Sequence, residues 1–213
     1  MKELKMAWTK QQMADKIISF IPSNSVVNLG IGLPTIIAER IPSEKNIVIH
    51  SENGVLGVCG RPTSSEVSPT LINAGKETIS VSPGASYFNS SLSFAMIRGG
   101  HIDVAVLGAM EVDCFGSLAN WMVPGKKITG MGGAMDLVNG PKNIIIMMGH
   151  FTKDGIPKLK DRCKLPLTGK NVVNSVITEL GFFKIENNKF KIIELAPGCS
   201  ILDLNIPNEL IAQ

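Results

Sequence analysis

Val26-Val27-Asn28-Leu29-Gly30-Ile31-Gly32-Leu33-Pro34 is the stretch that decides the fold class. Val26 to Leu29 reads as a short buried strand, and Gly30-Ile31-Gly32 as a tight turn. Pro34 falls where the first turn of a helix tolerates a residue without an N–H, and the helix runs on through Ile37 and Ala38. Strand, glycine turn and helix in that order make the first half of a parallel crossover.

Upstream, Thr9 followed three residues later by Gln12 fits a capping box. Met13, Ala14, Ile17, Ile18 and Ile21 recur at helical spacing until Pro22. Downstream, Pro42 ends the second helix and Ile47-Val48-Ile49 makes the next strand, which stops at His50-Ser51-Glu52-Asn53-Gly54; Asn-Gly is a turn signal, so Glu52 sits at a strand's carboxyl end. Thr78 to Val81, Asp103 to Leu107 and Ile144 to Met148 are further strand candidates, and Ser90 to Ile97 is a helix stopped by Gly99-Gly100. Val176 to Leu180, Phe182 to Ile185 and Lys189 to Glu194 are strand-like, the last two joined by the polar Glu186-Asn187-Asn188. The pattern predicts an open α/β fold, a mainly parallel sheet flanked by helices with a small antiparallel edge. No repeat, charge run or long linker divides the chain, so residues 1–213 are expected to form a single domain.

The composition narrows the function classes. Of 213 residues 44% are hydrophobic and 5% aromatic, with 21 glycines and 10 methionines, which describes an aliphatic core. The net charge of +3 is spread without a cluster that would neutralise several phosphates, which argues against a nucleic-acid partner. The longest apolar stretch, Ile144 to Met148, is far short of the roughly 20 residues needed to cross a bilayer, and Met1-Lys2-Glu3-Leu4-Lys5 lacks a signal-peptide apolar region. A cytoplasmic chain without membrane attachment is the expectation. Cys59, Cys114, Cys163 and Cys199 are widely spaced with no histidine near enough for a zinc pattern, so no metal site is expected.

Several residues are candidates for chemistry. Gly30-x-Gly32 after a strand invites a dinucleotide reading, with Glu52 at the place of a ribose-binding acid. However, the third glycine of that fingerprint falls on Thr35, and Pro34 removes an N–H from the turn. A plain tight turn, or a loop that lets another ligand or a partner approach the backbone, remain open. Glu52 is a carboxylate placed where open α/β sheets bind ligands. Ser51 and Asn53 offer groups to orient it, Gly54 leaves room for substrate, and His50 on the same sheet face is within reach of a hydrogen bond to it; so held, the carboxylate can serve as base or nucleophile. An exposed strand-end glutamate is the plain alternative. Gly130-Met131-Gly132-Gly133 precedes a helix or turn start, either as a source of free N–H groups for an oxyanion or as a crowded turn that needs small residues. Cys59, between Gly57 and Gly60, is near enough in sequence to line the site. His101, His150 and Trp121 read as structural, and Ser51 has no Gly-x-Ser-x-Gly frame.

Taken together, the Asn28 to Thr35 loop, Ser51-Glu52-Asn53-Gly54, Ile97 to Asp103, Leu118 to Lys126 and Gly130 to Val138 resemble the B (beta) subunit of family I CoA-transferases of the 3-oxoacid or acetate/butyrate–acetoacetate type. The resemblance implies an enzyme that moves coenzyme A between a donor acyl-CoA and an acceptor carboxylic acid by a ping-pong route, with Glu52 the nucleophile that becomes a glutamyl-CoA thioester. It also implies Gly133 as the oxyanion-hole N–H, with Gly132 providing the turn. Asn53 and Ser51 then orient Glu52, and Gly30, Gly32 and Gly54 give the substrate room. Coenzyme A is a substrate in such an enzyme and no cofactor is expected. The partner implied is an alpha subunit, in an α2β2 heterotetramer. The competing reading is a non-catalytic ligand-binding or sugar-phosphate isomerase-like domain of the same fold. A sugar-phosphate site wants several basic residues near the glycine loop, where only Arg40 and Lys45 follow.

Overall fold

A computed structural model describes residues 7–125, 127–128 and 130–212; Met1 to Lys5 and the Lys126 of the expected Pro-Gly-Lys turn lie outside the described residues. Helix α1 (Lys10–Phe20) starts at the predicted box: Thr9 Oγ1 accepts from the Gln12 N–H at 3.2 Å, and Gln12 Oε1 from the Thr9 N–H at 2.8 Å. Strand β1 (Val26–Leu29) follows. The segment after Pro34 is helical, as expected, but it is a 3-10 helix, Leu33–Glu39; the β-branched run Thr35-Ile36-Ile37 is poor α-helix material. No α-helix N-terminus therefore faces the glycine turn, and the dinucleotide reading loses its pyrophosphate site.

Next come β2 (Val48–Ser51), β3 (Val55–Gly60), β4 (Ser80–Tyr87), α2 (Ser90–Arg98) and β5 (Val104–Leu107). Four short strands, β6 (Glu111–Asp113), β7 (Leu118–Ala119), β8 (Met122–Val123) and β9 (Lys127–Ile128), precede the single-turn helix α3 (Ala134–Leu137). The chain closes with β10 (Asn143–Met147), β11 (Leu159–Lys160), β12 (Ser175–Thr178), β13 (Gly181–Glu186) and β14 (Lys189–Leu195).

Nine strands form one sheet in the order β14-β13-β12-β10-β5-β1-β2-β3-β4. The five in the middle, β12 to β2, run parallel, so the fold is a mixed, mostly parallel α/β sheet. The expected antiparallel edge is β12-β13-β14, whose hairpin turns on Asn187 and Asn188 at φ 52° and 56°. A second antiparallel edge is β2-β3-β4, in which β2 and the start of β4 match expected strands and β3 does not. The β3-β4 register breaks on either side of Val58, and Gly57 (φ 98°) and Gly60 (φ 112°) sit at those breaks.

The central strands alternate their side chains between two cores. Val104 and Val106 of β5, with Ile145 and Met147 of β10, pack under Ile17 and Ile18 of α1. Ala105, Leu107, Ile144 and Ile146 pack on the opposite face against Ile97 of α2 and Leu137 beyond Gly133. The side chains of Val112, Leu118 and Leu159, from a small three-stranded sheet, close that second core.

The sheet order also places the site. From β1 the chain steps to β2 on one side, and it later returns to β5 on the other. The loops leaving β1 and β5 therefore part company at adjacent carboxyl ends. Such a switch point is where an open α/β sheet leaves a crevice. Among the described residues, no helix is long and apolar enough to cross a membrane.

Candidate active site

A cavity of about 440 Å³ opens at that switch point. Its floor is Gly30 and Ile31 after β1, and one wall is Leu107 to Met110 after β5. Glu52 closes the β2 end, and Gly130 to Ala134 form the roof. Gly30 is small for a local reason: a Cβ there would stand 2.9 Å from Leu107 Cδ2 and 3.2 Å from the Val106 carbonyl oxygen, to which the Gly30 N–H donates at 2.8 Å. The glycine lets the ends of β1 and β5 lie together before their loops diverge.

Glu52 leaves β2 at the first residue of the turn and points under the roof. The Gly133 backbone lies against its carboxylate, and the N–H there favours the charged form. A Cβ at position 133 would stand 2.7 Å from Glu52 Oε2 and 2.8 Å from Phe94 Cζ, so only glycine brings its backbone this near. Burial pushes the Glu52 carboxyl above the ordinary carboxylate range; the Gly133 N–H pulls it partly back, and the Asp136 carboxylate adds to the rise. The result is a half-dry carboxylate, short of solvent donors, with one N–H aimed at it. That is a stronger nucleophile and base than a hydrated one.

The other predicted residues separate. Gly30, Gly132 and Gly133 line the cavity, with Gly132 in the left-handed region at φ 49°; Gly32, Ser51, Asn53 and Gly54 do not line it. Ser51 is buried and its Oγ accepts from the Ala74 N–H at 3.1 Å, while Asn53 Nδ2 donates to the Ile72 carbonyl at 2.8 Å. Both side chains brace the segment around residues 71–74 rather than bonding to Glu52. Gly54 is a turn residue at φ 112°, and a Cβ on it would run into the Phe88 carbonyl oxygen. Gly32, at φ 88°, faces open space.

The bond expected between His50 and Glu52 is absent. The His50 Nδ1 lies 3.0 Å from Asn28 Nδ2 and its Nε2 3.0 Å from Ser93 Oγ on α2. The Asn28 amide only donates, so Nδ1 accepts and Nε2 carries the proton to Ser93. Burial lowers the His50 pKa to about 4, and the ring is neutral at pH 7. His150 is buried between Thr178 Oγ1 (3.0 Å) and the Leu204 carbonyl (2.9 Å). His101 is exposed, and Cys59 is exposed on β3 and does not line the cavity. Trp121 is half-buried with its Nε1 3.3 Å from the Leu167 carbonyl.

Other contributors were missed, Gly108, Asn120 and Ala74 among them. Gly108 follows a fully buried strand, the same signal that singled out Gly30. Asn120 holds that loop, its Nδ2 donating to the Gly108 carbonyl at 3.2 Å while its Oδ1 accepts from Thr168 Oγ1 at 2.6 Å. Ala74 enters from a segment with no local pattern.

The family model described as "Coenzyme A transferase" matches residues 11–204. Over 175 residues, 82% of this chain and 84% of the relative, the sequence is 59% identical to the B-subunit of the succinyl-CoA:3-ketoacid coenzyme A transferase of Helicobacter pylori (strain ATCC 700392 / 26695). It is 46% identical over 200 residues to the beta chain of the acetate CoA-transferase of Escherichia coli (strain K12), covering 94% of this chain and 91% of that one. Among solved structures, the acyl-CoA transferase YdiF apoenzyme from Escherichia coli O157:H7 superposes with a TM-score of 0.76 at 20% identity. The match takes in 96% of this chain and 42% of YdiF.

Proposed function

The chain belongs to the coenzyme A transferase family, and on that premise we propose that it is the B (beta) subunit of an enzyme moving coenzyme A between a donor acyl-CoA and an acceptor carboxylic acid, with Glu52 as nucleophile. The observation that carries this reading is the pairing of a half-buried strand-end carboxylate with the Gly133 backbone in the wall of one cavity.

Glu52 attacks the thioester carbonyl, and the tetrahedral oxyanion gathers its charge beside the Gly133 N–H. Collapse expels the coenzyme A thiolate and leaves an acyl-glutamyl anhydride. The thiolate then attacks the glutamyl carbonyl, forming a Glu52–CoA thioester and releasing the donor's carboxylate. The acceptor acid returns through the same two steps in reverse: its carboxylate attacks the thioester, and the freed thiolate takes the new acyl group. Every bond broken is an anhydride or a thioester, so a carboxylate suffices and coenzyme A enters as substrate. Glu52 must be ionised to attack, so its raised pKa places the acidic limb of kcat/KM above the ordinary carboxylate value.

The acid pair is drawn from acetoacetate with succinate, acetate or butyrate; the names of the relatives, a succinyl-CoA:3-ketoacid and an acetate CoA-transferase, support a 3-ketoacid, succinate and acetate. The active unit includes an alpha subunit, in an α2β2 assembly; the subunit names of the relatives support a partner of that kind. Residues 1–213 act as one domain in a cytoplasmic enzyme, without nucleic-acid or membrane partners. The site is tested by reconstituting the chain with its alpha partner and following acyl exchange. Glu52→Gln should lower kcat on the order of 10⁴-fold or more while the subunits still associate; retained turnover would refute the assignment.

A further inference from the structure

Asp136 and Arg98 stand just outside the cavity and have no part in the steps above. Arg98 ends α2 and Asp136 lies on α3, 38 residues later; Nε meets Oδ1 at 2.7 Å and Nη2 meets Oδ2 at 3.3 Å. The fork-on-carboxylate geometry fixes orientation as well as distance. α3 has one turn and no side-chain cap, so it has little hold of its own on the roof. The Leu137 N–H donates to the Gly133 carbonyl at 3.0 Å, so the turn that carries Asp136 also carries the donor that meets Glu52. On α2, the Arg98 guanidinium lies 5.6 Å from the centre of the Phe94 ring, the ring against which Gly133 packs.

We propose that Arg98 is a positioning residue for Glu52: through its two-point pair with Asp136 it fastens α3 to α2, keeps the Gly133 N–H on the Glu52 carboxylate, and offsets the negative charge Asp136 brings to that carboxylate. What Glu52 does in turnover rests on the nucleophile reading; how it is held does not. Among the described residues, the charged groups around Glu52 are few. Asp136 faces it from α3 and Arg98 answers from α2, while on β2 His50 is neutral and engaged with Asn28 and Ser93. The described residues lining the cavity from the loops after β1 and β5 are uncharged.

Side-chain carboxyl NMR of the ¹³C-labelled full chain reads the Glu52 titration directly. In Arg98→Ala the midpoint should move upward, because the N–H contact loosens and Asp136 is unmasked. Arg98→Lys, which keeps the charge but not the fork, should fall between it and the parent. In the reconstituted pair, Arg98→Ala should lose on the order of a hundredfold in kcat, with KM changed far less. A folded Arg98→Ala chain whose Glu52 titrates like the parent overturns the inference. If that variant does not fold, Arg98→Gln decides on the same criterion. A raised midpoint supports the inference even where Glu52→Gln retains exchange, a result that sinks the nucleophile reading alone.

Discussion

Glu52 and Gly133 are bound to each other by sterics as much as by charge. At position 133 a methyl group would occupy space already held by Glu52 Oε2 and the Phe94 ring. Gly133→Ala should therefore push the roof off the carboxylate, lowering kcat on the order of a hundredfold through the lost donor, with exchange kinetics as the check. At this scale the sequence was legible in part. A carboxylate between a β-branched run and Asn-Gly marked Glu52 from local pattern alone. Gly133 stood out as part of a glycine run, and only resemblance tied it to Glu52. The orienting roles expected of Ser51 and Asn53 misread proximity in sequence as proximity of side chains. Their partners, Ala74 and Ile72, arrive from a loop some twenty residues away that has no periodicity to read. The bond expected from His50 failed for a similar reason, since Asn28 and Ser93 already saturate both ring nitrogens.

The element that presents Glu52 is the tight turn between β2 and β3. Gly54 donates its N–H to the Ser51 carbonyl at 2.9 Å and accepts from Phe88 at 2.9 Å, at a φ that L side chains avoid and with its Cα against the Phe88 carbonyl. Gly54→Ala should cost about 1–3 kcal/mol from backbone strain, before the clash is counted. Urea unfolding measures it, and a variant as stable as the parent would contradict this account of the turn. Elements with strong period or chemical punctuation were legible: α1 from its capping box, β5 and β10 from their apolar runs, and the β13–β14 hairpin from its paired asparagines. Strand β3 was not, because the glycines that bend it, Gly57 and Gly60, break the period when seen without the partner strand.

Across the described residues, buried apolar clusters seal a sheet whose buried polar groups include two neutral histidines, His50 and His150. Burial lowers both pKa values, His50 to about 4. In the unfolded chain a histidine titrates near 6.5. Between those values the unfolded state binds more protons, so the stability held above about pH 6.5 is lost as pH falls towards 4. The urea midpoint should drop over that interval, and His50→Gln should flatten the slope; a midpoint constant from pH 7 to 4 would contradict it. At the same scale, the mostly parallel architecture and the switch point between β1 and β5 follow from strand order, and these put Glu52, Gly30 and Gly133 around one cavity. The central claim is that Glu52 carries coenzyme A covalently. The chain paired with its alpha partner is mixed with an acyl-CoA, treated with borohydride and mapped by peptide mass. The peptide containing Glu52 should show the glutamate reduced to its alcohol only when acyl-CoA was present; an unmodified Glu52 in a preparation that catalyses exchange would contradict a glutamyl-CoA thioester at this position.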